Sequence, residues 1–307
     1  MNILITGSNG FIGKHLTEYL SNNYNIHKLY TPSSRELNLL DEISVDGYIK
    51  SNNIDFIIHT ANRGGGPDTI DMKNVADYNL RMFFNLAKYE KKVKKIINLG
   101  SGAEYCKHKP IVNAKEDDAN LQLPLDEYGF YKAIISRYIE RSDNIVNLRI
   151  FGCYGEYENY RYKFISNAIL KNLLHLPITI NQNVFFDYIY IKDLIKMISY
   201  FIKNDGDYKF YNITRGEKID LVTLVNLVNE VSSFKSEIRI LHDGLNKEYT
   251  SNNDRVLKQM GGFSFTTHKK AIGRMMEYYI SIINEIDNKE IICDPYLKYC
   301  GIMWKGF

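Results

Sequence analysis

The sequence predicts an α/β protein built on a doubly wound parallel sheet, and three observations carry that expectation. Short apolar runs alternate with amphipathic segments through residues 1–150, the pattern of consecutive βαβ units. A glycine-rich turn joins the first apolar run to the first amphipathic one. The length, 307 residues, suffices for a nucleotide-binding domain that carries a smaller lobe.

Strands are expected at Ile3–Thr6, Ile26–Tyr30, Asp55–His59, Lys95–Leu99 and Ile145–Ile150. Helical periodicity falls near Phe11–Asn22, Ile43–Ser51, Lys73–Glu90 and Tyr128–Ser142, which gives a Rossmann arrangement. After Phe151 a loop rich in Tyr and charge, Tyr154–Lys163, leads to a helix and to Pro177. A β-α-β stretch follows (Phe185–Ile191, Asp193–Lys203, Phe210–Thr214) and is expected to rejoin the main sheet. The segment Asp220–Ser232, a strand at Glu237–Leu241 and a helix near Thr267–Ile286 would build the smaller α/β lobe. Residues 1–150 plus about 185–215 thus form the Rossmann domain, and about 151–184 plus 216–307 the interwoven second lobe. The tail from Ile291 to Phe307 is apolar and aromatic (Tyr296, Tyr299, Trp304, Phe307). It is expected to pack on the body or on a second subunit and is assigned no chemistry.

Composition narrows the function. Hydrophobic residues make up 45% and charged residues 24%, which is ordinary for a soluble enzyme. A net charge of +3 is too weak to make nucleic acid the partner, and Lys88 to Lys95 reads as a solvated helix end. Cys106, Cys153, Cys293 and Cys300 lie far apart with no C-x-x-C pair, so neither a disulfide framework nor a metal site is expected, and a reducing cytoplasm fits. The N-terminus runs straight into a strand, and no apolar run approaches ~18 residues, so neither secretion nor membrane insertion is expected.

Three motifs carry chemistry. Gly7-Ser-Asn-Gly10-Phe-Ile-Gly13 follows a strand and opens a helix. Glycines there permit the tight turn and the close approach of backbone N–H groups to a pyrophosphate. Gly7, Asn9, Gly10, Phe11, Ile12 and Gly13 are therefore coenzyme-binding candidates. At the end of the second strand stands Tyr30-Thr-Pro-Ser33-Ser34-Arg35, with no carboxylate before Glu36. Two hydroxyls and a guanidinium can hold a ribose 2′-phosphate, where a carboxylate would repel it, so Ser33, Ser34 and Arg35 favour NADP(H). A turn with a capping Ser is the alternative. The third constellation is Ser101 with Tyr128 and Lys132. Y-x-x-x-K also occurs at Tyr24/Lys28, Tyr105/Lys109 and Tyr188/Lys192, but only Tyr128/Lys132 lies on a helix before the fifth strand with a Ser closing the fourth. Residues i and i+4 share a helix face, so both can point at one ligand. Lys132 would lower the Tyr128 pKa, Tyr128 would exchange a proton with a carbonyl oxygen, and Ser101 would bond the same oxygen.

Together these residues resemble the extended short-chain dehydrogenase/reductase family over nearly the whole chain. His59-Thr60-Ala61, Asn79 and Phe186-Asp187-Tyr188-Ile189-Tyr190-Ile191-Lys192-Asp193 are similar to its recurrent landmarks, which adds Thr60, Ala61 and Asn79 to the coenzyme side. Ser34-Arg-Glu-Leu-Asn-Leu-Leu-Asp41 and Leu99-Gly-Ser-Gly-Ala-Glu-Tyr105 resemble GDP-fucose synthase and related NADPH-dependent 4-keto-sugar reductases. The resemblance implies a nucleotide-diphosphate sugar as substrate, a place in surface-glycan synthesis, and a homodimer formed through the Tyr128 helix. It also exposes departures. The Asp-Glu pair of the dehydratases falls at Gly102 and Ala103. The Cys and His with which GDP-fucose synthase epimerises fall at Ala103 and near Phe164, and neither side chain moves a proton. Cys106 and His108 lie beyond Tyr105, where the chain is expected to leave the site. The usual Arg of the sixth-strand motif is Phe186, which leaves Lys171, Arg161 and Arg215 as candidates for the diphosphate. Gly102, Ala103, Phe164, Lys171, Phe186 and Arg215 are thus expected on the substrate side. The implied activity is reduction of a 4-ketosugar without epimerisation. An epimerase with tightly held NAD(H) and a non-catalytic NADP-sensing protein are the alternatives.

Overall fold

The computed structural model describes residues 1–23, 28–69, 72–119 and 121–303. β1 (Asn2–Thr6) runs into α1 (Phe11–Asn23), β2 (Lys28–Tyr30), α2 (Glu42–Asn52), β3 (Phe56–His59), α3 (Val75–Ala87) and β4 (Lys95–Ser101). β5 (Ile111–Ala114) precedes α4 (Glu127–Ile139), β6 (Ile145–Ile150), β7 (Gly152–Tyr154), α5 (Phe164–Leu173), β8 (Ile178–Asn183), β9 (Phe185–Tyr190) and α6 (Ile191–Lys203). β10 (Phe210–Ile213), β11 (Lys218–Asp220), α7 (Leu221–Val231), β12 (Ile238–Leu245) and β13 (Tyr249–Ser251) follow. Helices α8 (Asp254–Met260), α9 (His268–Ser281), α10 (Asn288–Ile292) and α11 (Pro295–Met303) come last.

The main sheet has six parallel strands in the order β10-β6-β4-β3-β1-β2. Successive side chains of a strand point to opposite faces, so both faces of this sheet acquire a core. Ile3 and Ile5 join Leu16 of α1 and Ile198 of α6 on one side, while Leu4 joins Val45 of α2, Phe83 of α3 and Ile135 of α4 on the other. Strands buried on both faces read as unbroken apolar runs, which is why they were legible. The expected start of the second strand at Ile26 lies outside the described residues; β2 is described from Lys28.

Phe185–Tyr190 departs from expectation. Only β10 rejoins the main sheet, whereas β9 is an inner strand of a second sheet, ordered β11-β9-β13-β5. The cause is local: β11 returns antiparallel on β9, and the Asp187 carboxylate in mid-strand accepts the Arg215 N–H at 3.1 Å and the Gly216 N–H at 3.0 Å. A two-stranded sheet of β8 and β12 stands beside it. Among the described residues no helix is long and apolar enough to cross a membrane.

Beneath the end of β4 lies a buried ion pair. Arg149 of β6 donates through Nε to Glu104 Oε2 at 2.6 Å, and the two side chains are 1% and 0% exposed. The guanidinium also reaches the Ser136 hydroxyl on α4 and the Glu116 carbonyl, both at 2.9 Å. Removing one partner of such a pair strands the other charge in a dry interior. Arg149→Met should therefore cost about 3–5 kcal/mol. Urea unfolding measures this, and a loss below about 1 kcal/mol, the worth of an exposed pair, would show that the charges are not truly desolvated.

Candidate active site

Strand order reverses between β1 and β3, the point at which a doubly wound sheet opens a crevice for its ligand. The loops leaving these strands nearly touch there. Gly7 follows β1 with φ +72°, and a Cβ on it would come within 2.7 Å of the Ala61 backbone. A Cβ on Gly13 would meet the Gly7 carbonyl oxygen at 2.2 Å, so only glycine lets α1 start so close to β1. The Gly10 N–H closes the turn on Gly7 O at 3.0 Å. Gly7, Asn9, Gly10 and Ala61 line a cleft of about 300 Å³, which continues past Ser33 and Ser34 to Leu39. Phe11 and Ile12 pack inward from α1 and anchor its first turn. A glycine cradle at a helix N-terminus fits the pyrophosphate of a dinucleotide.

Three of the coenzyme-side candidates, Asn79, Thr60 and Ser33, have side chains engaged in hydrogen bonds within the protein. Asn79 is buried and its amide is spent on backbone: Oδ1 accepts the Arg63 N–H at 3.0 Å, and Nδ2 donates to Arg63 O at 2.8 Å and Val75 O at 2.7 Å. It shapes the loop after β3, as does Thr60, whose hydroxyl donates to Thr6 O at 2.7 Å. Ser33 is likewise engaged, its N–H and hydroxyl both donating to Glu36 Oε2 at 2.8 Å. Those bonds hold the Glu36 carboxyl below its ordinary range. Ser33 and Ser34 both line the cleft, while Arg35 is exposed on the turn beside them.

Ser101, Tyr128 and Lys132 converge. Ser101 ends β4 and caps the 3-10 turn Gly102–Tyr105; its hydroxyl accepts the Ala103 N–H at 3.1 Å and its own N–H donates to Glu104 Oε1 at 2.9 Å. Asp126 caps α4 by accepting the Gly129 N–H at 2.7 Å, which starts the helix just before Tyr128. The Tyr128 phenol comes near enough to Ser101 for the serine to oppose the rise that burial gives it. Lys132 donates to Leu99 O at 2.6 Å and stands 5.9 Å from the Tyr128 ring centroid. The expected depression of the Tyr128 pKa by Lys132 is not what this arrangement gives. Burial pushes the phenol up, with Ser101 opposing, and burial also pulls Lys132 down to about 8. The ammonium is committed to a carbonyl and cannot offset the desolvation of the ring. A raised phenol stays protonated at neutral pH, the state from which it can give a proton away.

Beyond the trio opens a second cleft of about 270 Å³, walled by aromatic rings that include Phe151, Tyr162, Phe164, Phe186, Tyr188, Tyr249 and Tyr296. Phe164 and Phe186, two of the substrate-side candidates, are on this wall. Gly102 and Ala103 lie behind the wall, Ala103 fully buried. Lys171 and Arg215 do not line it. The Lys171 ammonium pairs with Asp294, Arg215 pairs through Nε with Glu217 at 2.8 Å, and Arg161 pairs with Glu290. Their charges are consumed by carboxylates that spacing could not assign to them. The cations on the wall are Lys107 and Lys163. The Lys107 ammonium lies 5.6 Å from the Tyr128 centroid and 5.3 Å from that of Tyr249. Cys106 is turned away, its thiol donating to Gln122 O at 3.3 Å, and His108 is not on the wall either. Gly65 (φ +89°) presses the loop after β3 against the Tyr128 ring, where a Cβ would sit 2.3 Å away. Among the described residues no cluster of three or more His, Cys, Asp or Glu could hold a metal ion.

The profile of the NAD dependent epimerase/dehydratase family matches residues 3–214. The chain belongs to that family. Among curated relatives, GDP-L-colitose synthase of Yersinia pseudotuberculosis is 26% identical over 66% of this chain and 73% of its own. The dTDP-4-dehydro-6-deoxyglucose reductase of Escherichia coli is 29% identical over 74% and 80%. The fold recurs in a solved GDP-mannoheptose C4 reductase from Campylobacter jejuni with NADP bound (TM-score 0.77, 20% identity, 91% of this chain and 98% of that one). It recurs too in the Thermotoga maritima UDP-glucose 4-epimerase (TM-score 0.78, 19% identity, 92% and 100%). The chain is thus a Rossmann-fold member of the NAD dependent epimerase/dehydratase family, and the proteins it is similar to include nucleotide-sugar reductases and an epimerase.

Sequence reasoning missed Lys107, Glu158, Tyr249 and the tail residues Tyr296 and Cys300, all on the wall of this family member's second cleft. Glu158 is 5% exposed; Ser166 donates to its Oε1, and its Oε2 has no hydrogen-bond partner among the described residues. Burial lifts its carboxyl from 4.5 to about 7. Between those values the folded state holds a proton that the unfolded chain has released, so stability falls as pH rises through that window. The fall attributable to Glu158 is on the order of 3 kcal/mol. Glu158→Gln should abolish it, so wild type should lose that much more than the variant between pH 4.5 and 7 in urea unfolding. Parallel stability curves would show that the carboxyl is ionised in the fold.

Proposed function

We propose that this protein is an NADPH-dependent C4 ketoreductase of a nucleotide-activated 4-keto-6-deoxy sugar, GDP-linked, in surface-polysaccharide biosynthesis, acting in the cytoplasm as a homodimer. The observation that carries the reading is the convergence of Ser101, Tyr128 and Lys132 at the head of the aromatic cleft, with the phenol held protonated. The turn Gly7–Gly13 would cradle the pyrophosphate, Ser34 and Arg35 would meet the ribose 2′-phosphate, and Lys132 would hold the nicotinamide ribose. The bound coenzyme supplies the hydride that reduces C4. Tyr128 gives its proton to the C4 oxygen, Ser101 donates a hydrogen bond to that oxygen, and the phenolate recovers a proton from solvent. The ketone would leave as a secondary alcohol, its carbon having taken the coenzyme's hydride and its oxygen the Tyr128 proton. Lys107 and Lys163 would face the substrate's phosphates in place of the arginine that Phe186 replaces. Ala103 is sealed off and Phe164 is apolar, so neither serves as the acid or base of an epimerisation.

The deciding experiment offers nucleotide 4-ketosugars and NADPH in deuterated water. NADPH oxidation is expected with at least one, and Tyr128→Phe should slow it by about 10²–10⁴. Deuterium entering C3 or C5 above the no-enzyme control would replace the pure-reductase reading with an epimerising one. Arg35→Ala should weaken NADPH binding roughly ten- to hundredfold, the size of a lost charge-assisted contact, and leave NADH almost unaffected. Calorimetric titration with each coenzyme measures the difference. Equal losses would show that Arg35 does not read the 2′-phosphate.

A further inference from the structure

We propose that Tyr249 is a positioning residue for Ser101, a second phenol that turns the serine's proton toward the substrate oxygen. This rests on the reading of Ser101 as a donor to that oxygen. β13 lies between β5 and β9, and Tyr249 sits opposite Ile111 on one side and Phe186 on the other. Its ring is fixed against Phe151, with centroids 4.9 Å apart, and against Phe186 at 6.0 Å. The hydroxyl then enters the space that a side chain at position 102 would fill: a Cβ on Gly102 would lie 2.3 Å from it. Glycine at that position admits the phenol to the reacting centre.

The Tyr249 hydroxyl, at the place of a residue-102 side chain, stands next to Ser101, and the serine acts on both the Tyr128 and the Tyr249 phenol, opposing the rise that burial gives each. A serine hydroxyl has one proton to donate and two lone pairs to accept with. The Ala103 N–H occupies one lone pair at 3.1 Å. Of the two phenols, one can donate into the second lone pair and the other can receive the proton. Once a ketone oxygen takes the Tyr128 proton and the Ser101 proton, the second lone pair falls to Tyr249. Burial keeps the Tyr249 phenol protonated, so it can fill that place. With both lone pairs occupied, the serine proton has one direction left, toward the substrate. The chain from Tyr249 through Ser101 to the oxygen polarises cooperatively as negative charge develops.

The inference separates from a packing role because the ring can be kept and the hydroxyl removed. Tyr249→Phe should lower kcat about tenfold, the scale of one hydrogen bond realised in the transition state, with KM unchanged. In a Ser101→Ala background the same substitution should cost nothing further, since the group through which it acts is gone. An undiminished kcat, or losses that multiply in the double variant, would overturn the proposal. A second readout needs no sugar. In enzyme loaded with NADP⁺ and labelled at the tyrosine Cζ carbons, Ser101→Ala should shift the Tyr249 resonance, identified by its disappearance in Tyr249→Phe. An unmoved resonance overturns the proposal whether or not a 4-ketosugar is the substrate. Failure of every ketosugar with a shifted resonance instead removes the reductase reading and leaves the Tyr249–Ser101 contact standing.

Discussion

A carboxylate and a guanidinium closed off from water hold the reacting end of the sheet together. Glu104 takes the Ser101 N–H with one oxygen and Arg149 with the other, and Arg149 extends to Ser136 and to the Glu116 carbonyl. One group therefore ties β4 to β6, β6 to α4, and the sheet to the segment after β5. Ser101 and Tyr128 arrive from different elements, and this tie fixes the separation between them. A buried pair of this kind adds little net stability over apolar packing of the same volume, yet neither half tolerates the loss of the other. Its worth here lies in placement. The Asn147 amide, bonded to Glu104 and to Asn98, extends the same polar seam along the buried strands.

The part of the fold that rests on local periodicity was legible in the chain. β6 occupies the residues read for it, and the helix carrying Tyr128 and Lys132 begins within one residue of its expected start. The seam beneath Ser101 had a signal as well. Ser101-Gly-Ala-Glu104 is a capping-box spacing, and an Asn and an Arg inside the mainly apolar run Ile145–Ile150 ask for buried partners. What was not legible depends on pairing at long range. Tyr249 is one of 24 tyrosines, and nothing near it says that β13 will lie between β5 and β9. The same holds for Lys171, whose partner Asp294 stands 123 residues away. A cation's partner is a tertiary fact, and a cluster of unassigned lysines and arginines resembles a phosphate site until that partner is known.

The second cleft is poor in cations for an enzyme whose relatives handle nucleotide sugars. Its rings can stack on a base or cover the apolar face of a sugar, and such contacts are indifferent to ionic strength. Two lysines on flexible stems make weaker geometric demands than a bidentate guanidinium. Under the proposed reading, discrimination would fall to the shape of the aromatic wall and to a few placed polar groups such as Glu158.

Part of that wall is built by the last helix. Tyr296 and Cys300 of α11 line the cleft, Tyr296 lies 5.7 Å from Phe164 between ring centroids, and the pair of Lys171 with Asp294 fastens the segment to α5. The cleft beside the turn Gly7–Gly13 is lined by residues between 6 and 82. A substitution at Tyr296 or Cys300 would therefore change the shape of the second cleft while the first keeps its walls.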